Sequence, residues 1–129
     1  MRGAFVLRSA AVLLLALVAA LPVAAPALSQ ELQPVPKLES RVTDLTGTLT
    51  AGQQAELEQK LATFEQRKGS QVALLIVNTT EPEAIEQFSL RVAEAWKLGR
   101  SKPDDGVLLI VAIKDRTLRI EVGYGLEGA

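Results

Sequence analysis

Carboxylates carry most of the chemistry open to this sequence, because it contains no histidine and no cysteine. Without imidazole there is no histidine general base, no Ser-His triad and no ordinary zinc site, and without thiols there is no thiolate nucleophile or disulfide framework. Three acidic stretches stand out. Asp104-Asp105-Gly106 sets two carboxylates side by side in a polar loop, Glu127 follows the run Gly123-Tyr124-Gly125-Leu126, and Asp44 opens the run Asp44-Leu45-Thr46-Gly47-Thr48-Leu49-Thr50. Calcium and magnesium take clustered carboxylate and carbonyl oxygens, so Asp44, Asp104, Asp105 and Glu127 are the candidate metal ligands. An ion held there would act as a Lewis acid and activate water. A second reading of the same residues is structural. Pro103-Asp104-Asp105-Gly106 is ordinary turn chemistry, and Gly123-Tyr124-Gly125 reads as a bend or bulge unless a following helix N-terminus turns it into an anion cradle.

These groups meet only if the chain between them folds as a hairpin. Residues 107–113 are apolar without a break, which predicts a central strand buried on both faces. Leu118, Ile120 and Val122 then alternate with Arg119 and Glu121, the period of a half-buried strand. With Asp115 and Arg116 as the loop, Val107, Leu109, Val111 and Ile113 pair with Tyr124, Val122, Ile120 and Leu118, and Asp105 lies opposite Leu126, next to Glu127. Arg119 and Glu121 share the second face, where the simplest reading is a solvated and weak ion pair.

Upstream, residues 41–45 predict a short strand, and Thr50 and Gln53 have capping-box spacing at the start of a helix. Leu57, Leu61 and Phe64 form its packing stripe, and Gly69 ends it. Residues 71–77 predict another apolar strand. A second helix is expected from Thr80, with Pro82 in its first turn, to about Leu98; Ile85, Phe88, Val92 and Ala95 or Trp96 face inward, and Gly99 is the stop. A strand, a helix of that length and a strand make a crossover, so strands 71–77 and 107–113 should be parallel neighbours. The expected class is α/β: a small mixed sheet flanked by helices in three layers.

Residues 1–29 have the form of a secretory signal, with Arg2 and Arg8 before an apolar core and Ala27-Leu28-Ser29 as a small-residue site that would release Gln30. The expected location is therefore the periplasm or the outer face of the inner membrane. Residues 30–38, with two prolines, read as an extended linker, and residues 39–129 as the domain. Loss of the leader removes two of the 14 basic residues and none of the 15 acidic ones, and no basic face or aromatic platform is left for nucleic acid. The chain stops at a glycine turn that would ordinarily feed another helix to cover the sheet, so exposed apolar sheet surface is expected.

Arg41-Val42-Thr43-Asp44, Ala95-Trp96-Lys97-Leu98-Gly99-Arg100, Asp104-Asp105-Gly106-Val107-Leu108-Leu109 and Arg119-Ile120-Glu121-Val122-Gly123-Tyr124-Gly125-Leu126-Glu127-Gly128 together resemble the TPM domain family. That family is named for a thylakoid-lumen phosphatase, a photosystem II repair protein and a modulator of acetylcholine receptors. The resemblance implies a mixed sheet between helices and further helices beyond this point, in many bacterial members with a membrane span. Membrane attachment is accordingly expected only through sequence outside this chain. Two functions follow from it: an exported module that binds or maintains membrane-protein complexes, which is the leading expectation, and a metal-dependent acid phosphatase. The run from Asp44 to Thr50 also resembles the phosphorylation motif of P-type ATPases. Leu45 stands where that motif has lysine, and Thr50 serves as a helix cap, so Asp44 is expected as a loop residue or metal ligand rather than a nucleophile.

Overall fold

The computed structural model describes residues 31–126; the expected secretory signal and Glu127 lie outside them. Four strands form one sheet in chain order: β1 (Val42–Asp44), β2 (Val72–Val77), β3 (Val107–Ala112) and β4 (Thr117–Val122). The first three run parallel and β4 is antiparallel to β3, as the crossover and hairpin patterns require. Helix α1 (Ala51–Lys68) packs on one face of this mixed α/β sheet, and helix α2 (Ile85–Trp96) on the other.

Local signals fix α1. The Thr50 hydroxyl accepts the Gln53 N–H at 3.1 Å, the Gln53 side chain accepts the Thr50 N–H at 3.0 Å, and Gly69 closes the helix in the left-handed region. Helix α2 begins at Ile85, five residues beyond the expected cap at Thr80, and ends at Trp96 rather than Leu98. The reason lies in the hairpin loop. The Asp115 carboxylate accepts the Thr79 hydroxyl at 2.8 Å and the Thr80 N–H at 2.9 Å, while the Thr80 hydroxyl donates to the Glu83 carbonyl at 3.1 Å. Residues 79–83 are thereby held as a turn, and the helix forms only after it.

The same contact resets the hairpin. Val107 pairs with Val122, Leu109 with Ile120 and Val111 with Leu118, two residues away from the expected register. Asp115 is drawn to Thr79 and Thr80, and the N–H groups of Ile113 and Lys114 continue the β2 ladder by donating to the carbonyls of Val77 and Asn78. Residues 113–116 therefore form a four-residue loop in place of the tight turn.

The core lies under α2. Its stripe of Ile85, Phe88, Val92 and Trp96 covers Ala73, Leu75 and Val77 of β2 and Leu108, Ile110 and Ala112 of β3. Ser89 is fully buried in this helix, and its hydroxyl has no partner. Removing a buried polar group that makes no hydrogen bond relieves its desolvation, and alanine is the better helix former. Ser89→Ala should therefore stabilise the fold by about 1 kcal/mol, read as a higher urea midpoint; a lower midpoint would show that the hydroxyl is satisfied.

Residues 31–38 are extended, yet they are strapped to α2 rather than free. Trp96 Nε1 donates to the Pro36 carbonyl at 2.8 Å, Arg91 Nη2 to the Gln33 carbonyl at 2.8 Å, and Val35 and Leu38 pack against the core.

The opposite face is only half covered. Helix α1 contacts β1 and β2, and its fastening is largely polar: the Glu58 carboxylate accepts the N–H groups of Arg41 and Val42, and the Arg41 guanidinium bridges Glu58 at 3.2 Å and Glu65 at 2.6 Å. No α1 side chain is buried, and Phe64 is 44% exposed. Beyond α1, the apolar side chains of β4 point away from α2 into the open, with Leu118 58% and Ile120 56% exposed. This corrects the expectation that the apolar alternation of β4 marks its buried side. It also corrects β3, where Leu108, Ile110 and Ala112 are buried while Val107, Leu109 and Val111 are only half-buried.

Candidate functional site at the Asp104–Gly125 junction

Between α2 and β3 the chain turns sharply, with Lys97 and Asp104 both at positive φ (48° and 46°). The turn brings Arg100 back over Asp105. The Arg100 N–H donates to Asp105 Oδ1 at 3.0 Å, and its Nε and Nη2 donate to Oδ2 at 3.1 and 2.6 Å. Asp105 is only 4% exposed, and a carboxylate removed from water needs such a partner. The Arg100 guanidinium, joined by the Arg100 backbone N–H, holds the Asp105 carboxyl below its ordinary range.

Asp104 serves the hairpin. Its Oδ2 accepts the Tyr124 N–H at 3.0 Å, its carbonyl accepts the Gly125 N–H at 3.0 Å, and the Gly106 carbonyl accepts the Gly123 N–H at 2.9 Å. The pairing of β3 with β4 thus runs on past the strands to the glycine run. Beside this junction opens a cavity of about 330 Å³, whose lining includes Leu90, Glu94, Lys97, Asp104, Glu121 and Tyr124.

Asp44 lies elsewhere. It ends β1 in register with Ile76 and so with Val111, six residues beyond Asp105 along the parallel sheet, or roughly 20 Å away. Its carboxylate accepts the Leu49 N–H at 2.8 Å and both the N–H and the hydroxyl of Thr46, at 2.9 and 2.7 Å. Burial alone would raise the Asp44 carboxyl; the Leu49 N–H and the Thr46 donors outweigh it and bring it below the usual range. Asp44 shapes the loop into α1, and its oxygens face that loop rather than a phosphate site.

Of the four expected ligands, the structure keeps Asp104 and Asp105 together, places Asp44 at the other end of the sheet, and leaves Glu127 outside the described residues. Among the described residues no group of three or more acidic side chains is placed to hold an ion. The described residues thus bring two of the four expected ligands, Asp104 and Asp105, to one loop. What sequence reasoning missed is Arg100, which neutralises Asp105. Its signal was available: a basic residue directly after Gly99 and five before Asp105, a short span for a loop to close.

The Asp105 pair has a pH signature. A carboxyl whose folded value lies below its ordinary 3.8 stabilises the fold above that pH, and the contribution is lost as the pH falls from there through the folded value. Stability should decline below about pH 4, and Asp105→Asn should lower stability at neutral pH while flattening that acid limb. Urea midpoints from pH 7 to pH 2.5 check this; parallel profiles for both proteins would detach Asp105 from the acid limb.

Among the described residues no helix is long and apolar enough to cross a membrane. The TPM domain pattern matches residues 42–129. A solved N-terminal domain of a protein from P. gingivalis is similar, at 31% identity with a TM-score of 0.62, over 69% of this chain and 57% of that one. The N-terminal domain of a Corynebacterium glutamicum protein shares the fold at 13% identity and a TM-score of 0.59, over 78% of this chain and 65% of that one. This chain therefore spans less than two thirds of either solved domain. No match was found among curated proteins. With the pattern covering the whole sheet, both helices and the Asp104–Gly125 junction, the chain belongs to the TPM domain family.

Proposed function

We propose that this chain is an exported module that binds and maintains membrane-protein complexes at the periplasmic or outer face of the inner membrane. The observation that supports this over phosphomonoesterase chemistry is the engagement of the acidic pair. Asp105 is closed by Arg100, and Asp104 has one oxygen on the Tyr124 N–H. A metal-assisted hydrolase needs carboxylates free to hold an ion and an open position for water, and both acids here are tied into the fold.

The purified protein, incubated with an aryl phosphate and millimolar calcium or magnesium, should show no metal-dependent turnover above blank. Its melting temperature, followed by Trp96 emission, should be the same in calcium and in chelator, since an ion stabilises a fold only by binding its folded state. Turnover that Asp104→Asn abolishes in a folded protein would overturn the reading in favour of the phosphatase. A calcium-dependent rise in melting temperature that Asp104→Asn removes would instead establish a cation site at Asp104, with Glu127 as the next ligand to test. Export is checked separately: the recovered protein should begin within a few residues of Gln30.

A further inference from the structure

The two edges of the sheet are treated differently. At β1, the Glu58 carboxylate accepts the Val42 N–H at 2.9 Å, and Gln54 Nε2 and Ser40 Oγ donate to the Val42 carbonyl at 3.3 and 2.9 Å. That edge is closed by side chains. At β4, Gly123 donates to Gly106, which sets the phase of the ladder: the backbone groups of Thr117, Arg119 and Glu121 face β3, and those of Leu118, Ile120 and Val122 face outward. Among the described residues, none of these outward groups has a hydrogen-bond partner. A six-residue edge with an exposed apolar face and no proline, bulge or covering side chain is a template for another strand.

We propose that β4 pairs antiparallel with β4 of a second copy of this chain, about a two-fold axis at Ile120, joining two four-stranded sheets into one. Charge selects both the partner and the register. Centred on Ile120, the pairing sets Ile120 against Ile120 of the second copy and Leu118 against Val122, all three positions using their outward backbone groups. Arg119 then lies directly opposite Glu121 of the other copy, and Glu121 opposite Arg119, on the α2 face. Sliding by two residues keeps the hydrogen-bond phase but sets Arg119 against Arg119, or Glu121 against Glu121, and like charges opposite one another destabilise a ladder. Within one chain Arg119 Nε already reaches Glu121 at 3.1 Å, so association turns a weak solvated pair into an alternating quartet across the axis. The exposed Leu118, Ile120 and Val122 of both copies become one continuous strip on the opposite face.

The test uses protein recovered from expression of the whole chain. Sedimentation equilibrium should give a concentration-dependent monomer–dimer equilibrium. Arg119→Glu and Glu121→Arg should each weaken it at least tenfold, and the double exchange should restore it, because the complementary pairs are re-formed. The chain has no cysteine, so Ile120→Cys should give a disulfide-linked dimer on mild oxidation, since directly opposite Cα atoms sit about 5.5 Å apart. Leu118→Cys, which faces Val122 of the other copy, should not. Ile120→Pro removes an outward N–H that β3 does not use, and should abolish the dimer while leaving Trp96 emission native. A monomer throughout the concentration series would overturn the proposal. So would a dimer indifferent to Ile120→Pro and to the charge changes, or one in which Leu118→Cys cross-links as well as Ile120→Cys.

Discussion

Phe88→Ala should destabilise the domain by about 3–5 kcal/mol, while Phe64→Ala should change it by less than about 1 kcal/mol. In the sequence the two phenylalanines play the same part, each a member of a helical packing stripe. In the structure they do not. Phe88 is fully buried between α2 and the sheet, in a layer with Leu75, Leu108 and Ile110, so its removal takes away transfer free energy and leaves a cavity that rigid strands cannot close. Phe64 lies on α1, whose side chains are nowhere buried, and is itself 44% exposed. Paired urea denaturation of the two variants measures the asymmetry. Equal losses would show that the α1 face is packed as tightly as the α2 face, and that the exposed strip on β4 has a cover in solution.

That asymmetry also explains how far the fold could be read from the sequence. Periodicity reports which residues are apolar on one side of an element, and it found all four strands, both helices and the parallel crossover. It does not report whether anything lies against that side. Leu118, Ile120 and Val122 alternate as cleanly as a buried face would, but they are exposed because α1 reaches only β1 and β2. Start signals have a similar limit. Thr50 and Gln53 acted locally and set α1 correctly, whereas Thr80 was diverted by Asp115, a residue 35 positions away whose reach no local pattern contains. The hairpin register failed for the same cause. A slip of two residues kept every side chain of the hairpin on its face. The adjacency of Asp104 and Asp105 was legible, and so was the short spacing from Arg100 to Asp105; that the guanidinium closes on this carboxylate was not, because it depends on the left-handed turns at Lys97 and Asp104.

Gly123→Ala should open the Asp104–Gly125 junction and destabilise the domain by about 3 kcal/mol, the upper range for forcing extra volume into a packed site. The cause is space rather than backbone conformation, since Gly123 does not have a positive φ. A Cβ at this position would fall on the Asp104 carbonyl oxygen, with Asp104 Oδ1 at 2.7 Å. Neither can move independently, because the same residue holds the Tyr124 and Gly125 N–H groups and is itself tied through its own N–H to the Arg100 carbonyl at 2.8 Å. Relief must therefore come from separating the end of β4 from the loop before β3, which breaks the hydrogen bonds at Tyr124 and Gly125 together. Gly47 supplies the contrast. It has a φ of 68° with nothing within 4 Å of an added Cβ, so Gly47→Ala should cost only the conformational term of about 1–2 kcal/mol. Urea midpoints rank the two substitutions, and amide exchange locates the damage. Faster exchange at Tyr124 and Gly125 with protection retained along β2 and β3 is the expected pattern for Gly123→Ala. A variant as stable as the wild type, with those amides still protected, would mean that the close packing of Asp104 on the glycine run does not hold this end of the hairpin together.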